Sequence, residues 1–143
     1  MKRLISLAML ALLLCSVGFA QDEAAKKKAA QESAESWLAL VDAGNYAQSW
    51  EEASTFFKSK VSKADWEKML TQVRTPLGKP DGRMPKGAVY QTSLPKAPDG
   101  EYVVIQYKTN FAAAGAAVET ITPMLDQDGK WRVSGYFIKP AEQ

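Results

Sequence analysis

The chain contains no histidine and a single cysteine, Cys15. Without histidine there is no imidazole base, so His-dependent triads are excluded. The usual zinc, copper and haem sites lose their commonest ligand as well. Cys15 sits in an apolar N-terminal run that reads as removable, so cysteine nucleophiles and disulfides are not expected in what remains. No glycine-rich phosphate loop follows a strand pattern. No charge excess suggests a polyanion partner: without Lys2 and Arg3 the 18 basic residues fall to 16, equal to the 16 acidic ones. Nucleic acid is therefore not expected as a partner, and neither a metal nor a cofactor is anticipated.

Long hydrophobic runs are also scarce. The longest, Leu4 to Val17, is short for a membrane span. It follows the basic start Met1-Lys2-Arg3 and precedes Gly18-Phe19-Ala20, which places small residues three and one before a cut after Ala20. That is the pattern of a secretory signal peptide. Leu14, standing where a lipoprotein signal has a small residue before its cysteine, argues against lipidation of Cys15. The expectation is a cleaved signal over residues 1–20, a periplasmic or secreted protein with no membrane attachment after cleavage, and one α+β domain over residues 21–143.

The C-terminal third organises that domain. Val103, Ile105, Tyr107, Thr109 and Phe111 alternate with a more polar set, the period of a strand with one buried face. Gln127-Asp128-Gly129 fits a three-residue hairpin loop with Gly129 left-handed. That loop predicts Leu125 opposite Trp131, Pro123 opposite Val133, Ile121 opposite Gly135 and Glu119 opposite Phe137. A loop over residues 112–116 predicts Thr109 opposite Glu119 and Tyr107 opposite Ile121. The inner face then holds Tyr107, Thr109, Glu119 and Phe137. Tyr102, Val104, Val118, Met124, Tyr136 and Ile138 share the outer face with Gln106, Lys108, Thr120, Thr122 and Arg132. Ala88 to Leu94 reads as a fourth strand. Pro76 to Gly87 reads as a surface loop, with a lid over a cavity mouth as the alternative.

Three helices precede the sheet. Asp22 to Asp42 carries the stripe Ala30, Ala34, Trp37, Leu38 and Val41, with Gly44 as C-cap. The consecutive Lys26, Lys27 and Lys28 fan around that helix and read as solvated. A second helix, capped by Asn45 with Gln48, runs to about Lys58 with Tyr46, Trp50, Ala53 and Phe57 inward. A third, capped by Ser62 with Asp65, turns Trp66, Met69, Leu70 and Val73 inward and ends at Thr75-Pro76. Trp37, Trp50 and Trp66 read first as packing and second as pocket lining.

This order, with Trp37-Leu-Ala-Leu-Val-Asp-Ala-Gly-Asn-Tyr46, Ser49-Trp50 and Asp128-Gly-Lys-Trp-Arg-Val-Ser-Gly-Tyr136, resembles the nuclear-transport-factor-two-like (cystatin-like) superfamily. The resemblance implies a cone: a helix layer on a curved four-stranded antiparallel sheet, often with a pocket between them and often a homodimer through the outer face. A closer likeness is to the bacterial exported family called domain of unknown function 4019. It rests on Arg74-Thr-Pro-Leu-Gly78, Leu94-Pro-Lys-Ala-Pro-Asp-Gly-Glu-Tyr-Val-Val104, Phe111, Glu119-Thr120 and Trp131-Arg-Val-Ser-Gly-Tyr-Phe-Ile138. That likeness carries no activity, and the superfamily hosts isomerases, dehydratases, cyclases and pure binding domains.

Glu119 is the one candidate for catalysis. A carboxylate on a core face is costly unless hydrogen-bonded or wet, so it lies at the sheet's open end or lines a cavity. With Tyr107 beside it, Glu119 is a candidate general base. The plainer reading makes it an acceptor for Tyr107 or a backbone amide, or the partner of Arg132 at the rim. The candidate ligand-binding set is Tyr107, Thr109, Glu119, Phe137 and Trp50. Three functions are carried forward: a non-catalytic binding or scaffold domain for a small apolar ligand or protein partner, an isomerase- or lyase-type enzyme using Glu119 with Tyr107, and an envelope assembly protein acting through the outer sheet face.

Overall fold

The computed structural model describes residues 5–142; the basic start of the expected signal, residues 1–3, lies outside them. The elements are α1 (Ile5–Asp42), α2 (Tyr46–Glu51), α3 (Thr55–Lys60), α4 (Lys63–Leu77), β1 (Pro80–Gln91), β2 (Tyr102–Phe111), β3 (Gly115–Leu125) and β4 (Trp131–Pro140). Among the described residues the architecture is α+β: four helices and an open antiparallel sheet in the order β1-β2-β3-β4. Among the described residues no helix is long and apolar enough to cross a membrane.

The helical stripes form the core largely as the periodicity requires. Ala30, Ala34, Trp37, Leu38 and Val41 of α1 are buried against Phe57, Trp66 and Leu70 from the other helices and Val103, Ile105, Tyr107, Ile121 and Val133 from the sheet. The tryptophans are packed and anchored. Trp37 Nε1 donates to the Ser49 carbonyl at 2.8 Å, Trp66 Nε1 to Ser49 Oγ at 2.9 Å, and Trp50 Nε1 to the Val61 carbonyl at 2.8 Å. Gly44, at φ +77°, ends α1 as expected.

Several boundaries differ from expectation. The first helix does not begin at Asp22 but runs through from Ile5. The second is two short helices. Buried Ser54 breaks it by donating its backbone N–H to the Val133 carbonyl and capping α3 at the Phe57 N–H, while Asn45 makes no side-chain cap. Ser62 does cap α4, accepting from the Asp65 N–H at 3.2 Å. Pro76 lies inside that helix, which runs on to Leu77 and stops at Gly78, φ +75°. Met69 and Val73, placed inward by periodicity, are each 42% exposed; the buried line is Trp66, Leu70 and Arg74.

The largest correction concerns Pro76 to Gly87. It is not a loop or lid: from Pro80 onward it is the edge strand β1. An edge strand tolerates proline, which lacks a ladder donor, and irregularities tolerate it further. Here the register slips between Pro80 and Gly82 and again between Pro85 and Gly87.

Two registers are also corrected. The β2–β3 turn is tighter than expected, Ala112 to Ala114 with Gly115 at φ +77°. Tyr107 therefore faces Glu119, and Thr109 faces Ala117. The slip is two residues, so every side chain keeps its face. On β4 the expected pairs Leu125–Trp131 and Pro123–Val133 hold, and Gly129 is left-handed at φ +80°. Beyond Pro123 the ladder shifts by one residue, so Gly135 faces Thr122, Tyr136 faces Ile121, Phe137 faces Thr120 and Ile138 faces Glu119. Pro123 has no N–H to offer a partner strand, and the bulge falls at that point. Ser134 Oγ donates to the Thr122 carbonyl at 2.7 Å across the gap. A one-residue shift exchanges faces: Tyr136 points inward and Phe137 outward, where it is 71% exposed.

Candidate functional site

Four charged side chains from four elements meet under the inner face. Asp42 is the last residue of α1. A carboxylate there opposes the helix dipole, and its stability depends on cations brought from elsewhere. Arg74 arrives from the last turn of α4 and donates Nη2 to Asp42 Oδ1 at 2.8 Å. Arg83 arrives from β1 and grips the same carboxylate with both terminal nitrogens, Nη1 to Oδ2 at 2.8 Å and Nη2 to Oδ1 at 3.2 Å. Its Nε donates to Glu119 Oε1 at 2.8 Å. Glu119, on β3, is fully buried. Oε1 also accepts from the Thr109 hydroxyl, and Oε2 accepts from the Tyr136 hydroxyl. Arg74 closes the ring by donating Nη1 to the Tyr136 hydroxyl at 3.1 Å, with its guanidinium 5.1 Å from the centroid of the Phe111 ring.

Two guanidinium groups and two carboxylates give this ring no net formal charge. Burial alone pushes the Asp42 carboxyl up, but Arg83 and Arg74 outweigh it and hold the carboxyl below its ordinary value. Burial, then the Glu119 carboxylate, pushes the Tyr136 phenol far above the usual tyrosine range. Burial raises the Tyr107 phenol as well. Arg83 is raised because its hydrogen bonds to Asp42 and Glu119 more than offset its own burial. The donors of the ring face acceptors except Arg74 Nε, which is buried without a partner among the described residues. Chemically this is a clamp tying α1, α4, β1, β3 and β4 together, with no free proton acceptor directed at open space.

The sequence-derived candidates are only partly brought together. Thr109 and Glu119 meet as hydrogen-bond partners, and Tyr107 is buried beside them on the paired strand. Tyr107 does not donate to Glu119; its hydroxyl is buried without a partner among the described residues. Phe137 is a correction: the bulge turns it to the opposite face, and Tyr136 takes the inner position. Trp50 is half-buried with its indole N–H held by Val61 and takes no part in the ring. Arg132 faces outward opposite Met124 as expected, and binds Asp128 at 2.7 and 2.8 Å rather than Glu119.

Asp42, Arg74, Arg83 and Tyr136 were missed. The first two had a signal. Asp42 extends the α1 series Ala34, Leu38 by four residues, and Arg74 extends the α4 series Trp66, Leu70 by four. A charge at the end of an apolar stripe marks a buried partner. Arg83 was hidden in a proline- and glycine-rich stretch.

A second feature lies around the edge of β4. Phe57, Trp66, Met69, Val73, Tyr136 and Phe137 are among the residues lining a groove of about 430 Å³ between the helices and the strand. Its lining is mostly apolar, with Lys60 and Ser134 among the few polar members. Met69, Val73 and Phe137 leave much of their apolar surface in solvent.

No curated protein matches this chain in sequence. A family description, protein of unknown function (DUF4019), matches it over residues 33–136. That span holds all six side chains of the buried ring and the groove's lining as far as Tyr136, with Phe137 and Ile138 just beyond it, and on it the chain belongs to the DUF4019 family.

Proposed function

We propose that the protein is an exported, non-catalytic binding domain that takes a small apolar ligand in the groove between α4 and β4. The observation that carries this reading is the groove itself: about 430 Å³, within the size range of small-molecule sites and lined as they usually are. Exposed Met69, Val73 and Phe137 gain from being covered, since apolar surface removed from water contributes roughly 25 cal/mol per Å². The cone geometry of the cystatin-like superfamily and a signal cleaved after Ala20 belong to the same proposal. They rest on the helix-on-sheet arrangement and on the N-terminal pattern.

Isomerase or lyase chemistry at Glu119 has less in its favour. A general base needs a lone pair within reach of substrate, whereas both Glu119 oxygens accept from Arg83, Thr109 and Tyr136 in a fully buried position.

Titration of the full chain with the neutral fluorophore N-phenyl-1-naphthylamine tests the proposal. Saturable binding is expected, weakened about tenfold by Val73→Asp, a factor worth about 1.4 kcal/mol. Absence of saturable binding, or indifference to Val73→Asp in a variant of unchanged circular dichroism, overturns it.

A further inference from the structure

The outer face of the sheet has its own chemistry, independent of the α4–β4 groove. The rows running across it follow from the pairings. Met84, Lys108, Val118 and Lys139 form one row, and Val89, Val104, Thr122 and Gly135 form another. Lys86 sits at the second slip of β1, beside Gly87 and its partner Gln106.

Lys86, Lys108 and Lys139 line one groove of about 220 Å³. Among the described residues none of the three has an ion-pair partner. Lys26, Lys27, Lys28, Lys63, Arg74, Arg83 and Arg132 have one, while Lys58, Lys60, Lys68, Lys79, Lys96 and Lys130 also have none; what sets Lys86, Lys108 and Lys139 apart is that they share one groove. Glu142 is the carboxylate lining this groove, and it pairs with none of the lysines. Gathering like charges on one sheet face costs stability unless an anion offsets it. Adjoining this groove, and sharing Lys86 and Gln106 with it, is a second of about 490 Å³ along Gly87, Val89, Leu94 and Val104. Val89 is 53% exposed there. A cationic end and an apolar trough thus lie end to end.

We propose that this face binds a free single-chain anionic amphiphile, its carboxylate or phosphate head among Lys86, Lys108 and Lys139 and its alkyl tail along Val89, Leu94 and Val104. Ammonium groups hold such heads as point charges and do not demand one geometry. Charge also weighs against a second copy of the chain, the homodimer the superfamily resemblance implies. A two-fold axis lays the same patch on itself, and the three lysines of each copy would meet a single carboxylate of the groove, Glu142.

The test uses the full chain with dodecanoate and dodecyl phosphate, each below its micelle concentration, followed by calorimetry and amide chemical shifts. Saturable binding is expected, with shifts at residues 86–91 and 104–108 and an affinity that falls with salt. Lys86→Gln, Lys108→Gln and Lys139→Gln together are expected to weaken it about tenfold or more. Val89→Ser is expected to weaken it without changing the salt dependence, and Val73→Asp in the α4–β4 groove to leave it unchanged. Equal binding of neutral dodecyl maltoside removes the role of the head, and equal binding of inorganic phosphate removes that of the tail; either overturns the proposal. So do shifts confined to α4 and β4, an unchanged affinity in the triple lysine variant, binding to phosphatidylglycerol vesicles without binding to the monomers, or light scattering that finds a dimer covering this face.

Discussion

On the inner face of the sheet the charges of Asp42, Arg74, Arg83 and Glu119 close on one another, and among the described residues only Arg74 Nε and the Tyr107 hydroxyl are buried without a partner. On the outer face Lys86, Lys108 and Lys139 stand without partners beside exposed Met84 and Val89. The inner groups are explained by the fold they hold together. The outer ones do nothing evident for the fold. A carboxylate on a core face looks like the catalytic feature of such a chain, yet its surroundings consume it, and the surfaces with unmet chemistry lie at the β4 edge and on the far side.

That contrast breaks most sharply at Glu119. Removing one member of a buried ion pair leaves its partner charged and desolvated, a cost of about 3–5 kcal/mol. Glu119→Ala is therefore expected to lower the urea midpoint strongly or prevent folding, because Arg83 loses a fully buried partner. Glu119→Gln, which keeps the shape and an acceptor, is expected to cost less and to remain folded. If both variants match the parent in urea, the ring contributes nothing and the inner face is not the structural half of the comparison.

Next in size is Tyr136→Phe. It removes the donor to Glu119 and the acceptor for Arg74, an expected loss of about 1–3 kcal/mol for buried groups left unsatisfied. Phe137→Ser is the paired control and is expected to change stability little, since Phe137 is 71% exposed. Reversal of the two effects would restore the uninterrupted β4 register. Tyr136 also sets an alkaline limit. Its folded value lies above the unfolded one, so its contribution is complete below about pH 10 and is lost as pH rises from there toward the folded value. Tyr136→Phe is expected to flatten that alkaline decline in stability–pH curves.

Acid works on Asp42 with the opposite sign. Its folded value is depressed by Arg83 and Arg74 after they overcome the cost of burial. The contribution is therefore complete above the unfolded value, about pH 3.9, and is lost as pH falls through the lower folded value. Comparing the urea midpoint of Asp42→Asn with the parent from neutral pH downward isolates it: the gap between them is expected to narrow below about pH 4. A gap constant through that range would mean that Asp42 is not held by the two arginines.

How much of this was legible follows from where the period of two or of 3.6 runs uninterrupted. The α1 stripe, the alternation of β2, the hairpin at Gly129 and the capping of α4 by Ser62 are local patterns, and each appears in the structure. The failures come from interruptions. Pro123 introduces the bulge that exchanges Tyr136 for Phe137, and periodicity carries no sign of where the extra residue goes. Pro80, Gly82, Pro85 and Gly87 make β1 read as a loop, so Arg83 could not be aimed at anything. Glu119 was recognised as an anomaly on a core face; naming its partners needed the β1 edge and the C-terminal ends of α1 and α4 in one place, which no local pattern encodes.

The smallest expected effect is the sharpest measure of the outer face. Lys108 and Lys139 flank Val118 in one row, each pairing directly with it, and neither has a counter-charge among the described residues. If they served the fold, Lys108→Gln with Lys139→Gln would lower the urea midpoint. Their mutual repulsion instead predicts an unchanged or slightly raised midpoint, with the difference fading as salt screens the pair over a Debye length of about 10 Å at 0.1 M. A clear loss of stability in the double variant would make the lysines structural and align the outer face with the inner one. An unchanged or raised midpoint leaves their placement to be explained by what they bind.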